Sequence, residues 1–347
     1  MKILVFSGYN PRAVISFCRI ASEYNLDFDI IAKSDDDEIL QTNYKNNVVL
    51  IRNSKDLSIT HIFDIINKYN NSKIFILPST EYLNRMLLSN KKELNDRNVF
   101  FGLTDEDTYN LISNKLSFSS LCKSYDIKIP IEYDFDLKKI PYVIKPKSYF
   151  NKDMSIDSPV LVFDEITFLN FFKDKNYDDF YLQEFIEGES IYFLFYFDKN
   201  GNFDVFSQKN YTQQPNGGSI TYAKSSEHYK ESITNQLVKL FKSINFFGLV
   251  MVEFRKRDNE WIMIEANPRL WGPSQLILDS GMNLLDKFLY DNNLIQFPKN
   301  RTFKPNIDYV WKSGMTDNDV YHHICSNYDY DVKMDIYNRT DTIQLYE

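Results

Sequence analysis

The chain has 347 residues, 43% hydrophobic and 25% charged, with a formal net charge of −8. That length supports two or three compact units of ordinary globular composition. The acidic balance argues against a nucleic-acid partner, which calls for a basic footprint, and no apolar run approaches the roughly 20 residues that span a bilayer. The three cysteines, Cys18, Cys122 and Cys325, are far apart and odd in number. They read as reduced thiols, not as a disulfide or zinc framework. His322 and His323 are adjacent, which is poor spacing for a metal pair. The first residues run straight into a strand without the apolar core and cleavage site of a leader, so the expected location is the cytoplasm.

Residues 1–105 alternate strand and helix signals. Ile3–Phe6 reads as a buried strand, Ala13–Glu23 as a helix, and Phe28–Ala32 and Val48–Ile51 as strands. Ser58–Tyr69 has helical periodicity and Lys73–Leu77 is a further strand. This alternation predicts a mostly parallel sheet covered by helices. The turn Ser7-Gly8-Tyr9-Asn10-Pro11-Arg12 lacks G-x-G-x-x-G, which weakens a nicotinamide-dinucleotide reading. Pro78-Ser79-Thr80-Glu81 follows a strand end, where open α/β sheets present ligands. Glu81 and Arg85 lie one helical turn apart, which fits either an ion pair or a substrate contact.

From residue 106 the pattern changes. Asn114-Lys115 opens a helix through Leu116, Phe118 and Leu121, followed by Asp126-Ile-Lys-Ile-Pro130. In Pro141-Tyr-Val-Ile-Lys-Pro-Lys147, Val143, Lys145 and Lys147 share a strand face. Two ammonium groups so close are unfavourable unless an anion lies beside them. Tyr181–Gly188 reads as a strand end and turn, and Ile191–Phe197 and Phe203–Gln208 as a hairpin around Asp198–Gly201. The segment from Lys209 to Pro215, Gly217, Gly218 and Ser219 is either a flexible loop or a place where backbone approaches a ligand closely. Tyr229–Ile244 is an amphipathic helix. Beyond 275 the pattern gives helices over Gln275–Asp279 and Leu284–Tyr290, a stop at Gly281, and a strand candidate at Tyr309–Trp311.

Residues 246–275 are the most informative. Apolar runs Leu249–Phe254 and Trp261–Ala266 flank a polar segment, a β-hairpin signal. Val250, Val252 and Phe254 form one apolar face, and Ile262, Ile264 and Ala266 another. Matching them puts Phe254 opposite Ile264, Val252 opposite Ala266 and Glu253 opposite Glu265. A plain Asp258-Asn259 turn would separate the two glutamates, so the expected connection has an odd number of residues, three or five. Glu265 and Asn267 point the same way. Two facing carboxylates with an amide alongside suit Mg²⁺, with Mn²⁺ as a substitute; otherwise they are scattered acids on a solvated strand face.

Glu253, then Glu265-Ala-Asn267-Pro-Arg269, then Leu270-Trp271-Gly272 resembles the metal-binding end of the ATP-grasp superfamily of carboxylate–amine ligases, in the branch with Asn-Pro-Arg-aromatic-Trp-Gly. The resemblance covers about residues 1–290. It implies an α/β and α+β protein: a Rossmann-like pre-ATP-grasp domain (1–105), an ATP-grasp N-terminal lobe (106–185), and a C-terminal lobe with the metal hairpin and tail (186–347). It implies ATP and Mg²⁺ as cofactors, with metal ligands Glu253, Glu265 and Asn267. Lys115 and Lys145 match phosphate-contacting lysines, with Lys147 beside them. Gln183, Glu184 and Ile186 match the adenine-binding hinge, and Glu189 is the nearest candidate for ribose, with Ser190 as the alternative for that slot. Lys209 matches a basic residue facing γ-phosphate or carboxylate, and Arg269 would stabilise the carboxylate and the tetrahedral intermediate. Ser148–Lys152 departs from the family in lacking the glycines of the phosphate lid. The implied partners are a small-molecule carboxylate and an amine, with no nucleic acid or membrane, and with a homodimer left open. A phosphotransferase of the same fold and a non-catalytic nucleotide-binding protein are the alternatives.

Overall fold

The computed structural model describes residues 1–52, 57–70, 72–135, 139–152, 154–315 and 332–346. His322, His323 and Cys325 lie outside these residues. Cys18 and Cys122 are buried free thiols, both pushed up by burial.

The N-terminal part consists of β1 (Lys2–Phe6), α1 (Pro11–Glu23), β2 (Phe28–Ala32), β3 (Val48–Ile51), α2 (Ile59–Asn67), β4 (Ile74–Ile76), α3 (Glu81–Ser89), α4 (Lys91–Asp96) and β5 (Val99–Phe100). Its strands pair in parallel in the order β3-β2-β1-β4-β5. The central strands are short continuous apolar runs because helices cover both faces. Sequence chemistry marks the helix starts: Pro11 occupies the first turn of α1, Ser58 caps α2 and Thr80 caps α3. The strand order reverses between β1 and β4, which opens a crevice beyond their carboxyl ends.

Helices α5 (Glu106–Ser113) and α6 (Lys115–Lys123) lead into a small antiparallel sheet. It contains β6 (Glu132–Tyr133), β7 (Tyr142–Pro146), β8 (Val160–Val162) and β9 (Phe180–Glu184) in the order β6-β9-β7-β8, with α7 (Glu165–Phe171) after β8. Tyr142, Ile144, Val162, Phe168, Phe172, Phe180 and Leu182 form its own core. A six-stranded antiparallel sheet follows, with β10 (Glu189–Phe197), β11 (Phe203–Gln213), β12 (Ile220–Ser226), α8 (Ser232–Ser243), β13 (Gly248–Arg257), β14 (Glu260–Asn267), α9 (Gln275–Asp279), α10 (Leu284–Asp291) and β15 (Asp308–Val310). Its order is β14-β13-β10-β11-β12-β15.

Strand β10 shows how this sheet is buried on both sides. Ile191, Phe193, Phe195 and Phe197 join one core with Phe118, Leu237 and Phe241 from α6 and α8. Tyr192, Leu194 and Tyr196 point the other way, into a core shared with α1, α9 and α10. That second core also contains Phe75 of β4, whose ring meets Phe288 edge-on at 5.9 Å. The parallel sheet and the large antiparallel sheet are therefore packed into one another.

Several element boundaries differ from expectation by one or two residues, and two differ by more. β11 continues to Gln213, past Gln208, because β10 and β12 both keep pairing with it. Helix α8 starts at Ser232, since His228–Lys230 forms a separate 3₁₀ turn. Among the described residues no helix is long and apolar enough to cross a membrane.

The C-terminal segment returns to α1. Asp341 accepts two hydrogen bonds from Arg19, at 2.8 and 3.0 Å, and one from Tyr44 at 2.8 Å. Burial pushes the Asp341 carboxyl up, but Arg19 and Tyr44 outweigh it and hold it below the usual range. Its stabilising effect is therefore present at neutral pH and is lost as pH falls through that lowered value. Asp341→Asn should destabilise the fold by about 1–3 kcal/mol at pH 7, as read by urea unfolding, with the difference shrinking in acid.

Candidate functional site

Strands β13 and β14 align Val252 with Ala266 and Glu253 with Glu265, as the apolar faces require. The connection is nevertheless the two-residue Asp258-Asn259 turn, both residues having positive φ, 49° and 65°. The expected odd-length loop is thus corrected. A β-bulge restores the parity: the register shifts between Glu253 and Phe254, and Phe254 faces Met263, not Ile264. Met263 takes the core position, while Ile264 is released toward a cleft.

The acids are surrounded by cations from elsewhere in the chain. Lys115, the first residue of α6, lies 3.0 Å from Glu265 Oε2. Asn267 donates from Nδ2 to Glu265 Oε1 at 2.8 Å. Arg255 lies 3.6 Å from Glu253. The side chain of Glu253 is 13% exposed and that of Glu265 25%. Burial, reinforced by the Glu265 charge, raises the Glu253 carboxyl despite Arg255. Burial also acts to raise Glu265, but Lys115, Lys145 and the Asn267 amide outweigh it and lower that carboxyl. Lys145 is 4% exposed, donates to Ile264 O at 3.3 Å, and is pulled down to about 8 by burial and by the Lys115 charge.

No cluster of three or more His, Cys, Asp or Glu side chains able to hold a metal occurs among the described residues. Two opposed carboxylates and an amide nevertheless make an all-oxygen donor set. It fits a hard divalent cation that keeps water or phosphate as its remaining ligands.

Lys145, Glu253 and Glu265 line a cleft of about 400 Å³ between the small and large antiparallel sheets, together with Gln183, Glu184, Ile186 and Arg255. The Glu184 carboxylate is held by Arg257 at 2.8 Å, and its N–H donates to Ile131 O at 2.7 Å. The chain crosses between the sheets at Gly188, where φ is 147° and a Cβ would come within 2.5 Å of Lys256 O. Only glycine passes β13 at that distance in that conformation. Gly217 and Gly218 line the same cleft, while Ser219 faces a second cavity.

The second cavity, about 760 Å³, lies beyond the carboxyl ends of β1 and β4, at the reversal of strand order. Arg12, Arg52, Glu81 and Arg269 line it. Glu81 also forms the ion pair with Arg85, at 2.8 Å, so both readings of that pair hold in the geometry. Arg269 donates to Leu270 O at 3.2 Å and approaches Asn267 Oδ1 at 3.5 Å. The strip from Glu265 to Arg269 thus runs from one cavity to the other.

Several sequence-derived residues are not brought together. Lys147 is exposed beyond the end of β7 and lines neither cavity; the ammonium beside Lys145 is that of Lys115. Lys209 lies on β11 and pairs with Glu189, and neither lines a cavity. The glycine-free segment after β7 is pinned by aromatic contacts, Tyr149 under Arg85 at 4.5 Å and Phe150 against Tyr82 at 6.1 Å. Sequence reasoning missed Arg255, although its spacing of two from Glu253 on one strand puts both on one face. It also missed Arg12, whose only local signal was a charge inside an apolar helix.

Comparisons with known proteins follow this geometry. Residues 112–273 match the family model described as the ATP-grasp domain. No curated protein matches the chain. Among solved structures, Rhizobium etli pyruvate carboxylase superposes with a TM-score of 0.63 at 15% identity, over 88% of this chain and 30% of that one. This chain therefore spans less than a third of that protein. The biotin carboxylase domain dimer of Hydrogenobacter thermophilus 2-oxoglutarate carboxylase, in complex with MgADP, ADP and bicarbonate, gives 0.63 at 13% identity, over 88% and 73% of the two chains. N5-carboxyaminoimidazole ribonucleotide synthetase from Thermus thermophilus gives 0.61 at 12%, over 88% and 81%. At these identities the likeness is one of fold.

The depressed Lys145 ammonium has a measurable consequence. Its charged form is disfavoured in the folded state, so folding gains stability as pH rises from about 8 toward the ordinary lysine value. Lys145→Met should be more stable than wild type at pH 7, and unfolding titrations should show that advantage shrinking across this window.

Proposed function

Because residues 112–273 match the model of the ATP-grasp domain, we propose that this chain is an ATP- and Mg²⁺-dependent ligase that joins a carboxylate to an amine, releasing ADP and phosphate. The observation that carries this reading is the adjacency of the two cavities. Glu253 and Glu265 face the cleft, and Arg269, two residues beyond Asn267, faces the second cavity. A nucleotide in the cleft and a carboxylate in the cavity would present their reacting ends to the same strip of β14.

In this reading Glu253, Glu265 and Asn267 would hold Mg²⁺, which would supply charge neutralisation for the phosphates. Lys145 and Lys115 supply positive charge to the nucleotide phosphates. Phe185 and Ile186 line the cleft, and their backbone amides, which make no hydrogen bond in the described residues, would be free to meet the adenine. A substrate carboxylate oxygen attacks the γ-phosphorus, the bond to the ADP oxygen breaks, and an acyl phosphate forms. The amine nitrogen then attacks the acyl carbon, the carbon–oxygen bond to phosphate breaks with its electron pair leaving on phosphate, and the nitrogen loses a proton to solvent. Arg269 holds the carboxylate and the oxyanion of the second step with its planar fork. The two buried free thiols fit a cytoplasmic setting.

The direct test is ADP and phosphate release screened against pairs of carboxylates and amines, with mass spectrometry of the products. An amide product that depends on both partners supports the ligase. A phosphorylated end product that forms without any amine requirement overturns it. Lys145→Ala should weaken ATP binding strongly in calorimetry; unchanged affinity removes Lys145 from the nucleotide site. Arg269→Lys should leave ATP binding nearly intact and lower kcat by roughly 10²–10³. Full amine-dependent turnover in that variant would reduce Arg269 to a clamp on the Trp271-Gly272 segment.

A further inference from the structure

The 760 Å³ cavity is more cationic than a single carboxylate needs. Among the described residues its one acidic lining residue, Glu81, is already bound by Arg85 at 2.8 Å. Arg269 and Arg12 both line the cavity, and among the described residues neither forms an ion pair with a carboxylate. Under the reading above, Arg269 takes the reacting carboxylate. Arg12 is then left without a counter-charge among the described residues.

Arg12 is an unusual place for an unpaired cation, being only 6% exposed. Burying a guanidinium without an anion is unfavourable unless other groups offset the lost hydration. Some offset is visible. Nη1 donates to Ile220 O and to Tyr309 Oη, each at 2.9 Å, and the guanidinium stacks 3.7 Å over the Trp311 ring. These contacts fix the plane of the group and occupy one nitrogen. Nε and Nη2 donate to no described residue, and a Cβ on Gly272 would sit 2.5 Å from Nη2. The glycine that follows Trp271 therefore makes room for this guanidinium.

The surroundings of Arg12 favour negative charge as well. The first turn of α1 carries no acidic residue. Asn10 does not cap it: its side chain donates instead to Ser79 O at 3.0 Å and Leu270 O at 3.3 Å. The positive end of a 13-residue helix thus opens on the same cavity.

We propose that the carboxylate substrate carries a second anionic group, a carboxylate or a phosphate, and that Arg12 receives it while Arg269 holds the reacting carboxylate. The inference rests on the ligase reading for the assignment of the reacting end, but not for the second anion site. The cavity is large enough for a sugar-sized molecule spanning both arginines.

The test compares matched probes with the whole protein in the presence of ATP and Mg²⁺: butyrate, glutarate and 4-phosphonobutyrate, and glucuronate against glucuronate 1-phosphate. Binding is read by calorimetry and turnover by ADP release. Each dianion should bind wild type at least about tenfold tighter than its monoanionic match, the scale of one charge-assisted hydrogen-bond set. The preferred member of the carboxylate and phosphonate pair identifies the second group. Arg12→Gln should reduce the discrimination to about twofold or less, and Arg12→Lys should restore part of it. The wild-type comparison stands even if Arg12→Gln fails to fold. Equal binding of the two members of every pair, or discrimination retained in a folded Arg12→Gln, overturns the inference. ADP release that is indifferent to the second charge rejects the inference alone. Selective dianion binding with no ADP release for any carboxylate and amine supports the anion site and rejects the ligase.

Discussion

Two carboxylates set face to face across a β-ladder repel, and much of the site is arranged around that repulsion. Glu253 and Glu265 are opposed because the core faces of β13 and β14 leave no other register. Their charges are balanced by Arg255 from the same strand, Lys115 from the start of α6, and Lys145 from the small sheet. The balance is uneven. Glu265 has the closer cations and stays ionised, while the more enclosed Glu253 is raised. An arrangement of this kind is poised for an added cation on one side and added phosphate charge on the other.

The same hairpin continues into the seam between the two large sheets. After Asn267 the chain passes Arg269 and Leu270 and buries Trp271 against α1, with Gly272 against the Arg12 guanidinium. Arg12 in turn bonds to β12 and, through Tyr309, to β15. One polar side chain thus ties the N-terminal helix to two strands of the antiparallel sheet. This makes the wall between cleft and cavity a continuous piece of packed structure.

The segment after β7 shows a different solution to a covering loop. A glycine-rich lid gains its reach from backbone freedom. Here Tyr149 and Phe150 fasten the segment to Arg85 and Tyr82 of α3, and Met154 and Ile156 line the second cavity. The segment is thereby attached to α3, which supplies Glu81 and Tyr82 to the same cavity. Asn114 adds a further tie: it caps α6 with its oxygen and donates to Lys147 O at 3.0 Å with its nitrogen.

Sequence by itself determined whatever depends on local periodicity. Alternation along 249–254 and 261–266 is enough to oppose Glu253 to Glu265, because a slip of one residue would expose a whole apolar face. The βα alternation of the first hundred residues and the strand that carries Lys145 were legible for the same reason; the burial of Lys145 was not. Turn parity was not legible: an even loop and a bulge give the same opposition as an odd loop, and the bulge depends on Met263 finding the core while Ile264 is released to the cleft. Partnerships across the fold were decided only by tertiary structure. Lys115 reaches Glu265, Lys209 turns to Glu189 and not to the site, and Arg12 lines a cavity made by six separate segments. Spacing along the chain carries no information on these contacts, because which charges meet depends on which sheets and helices become neighbours.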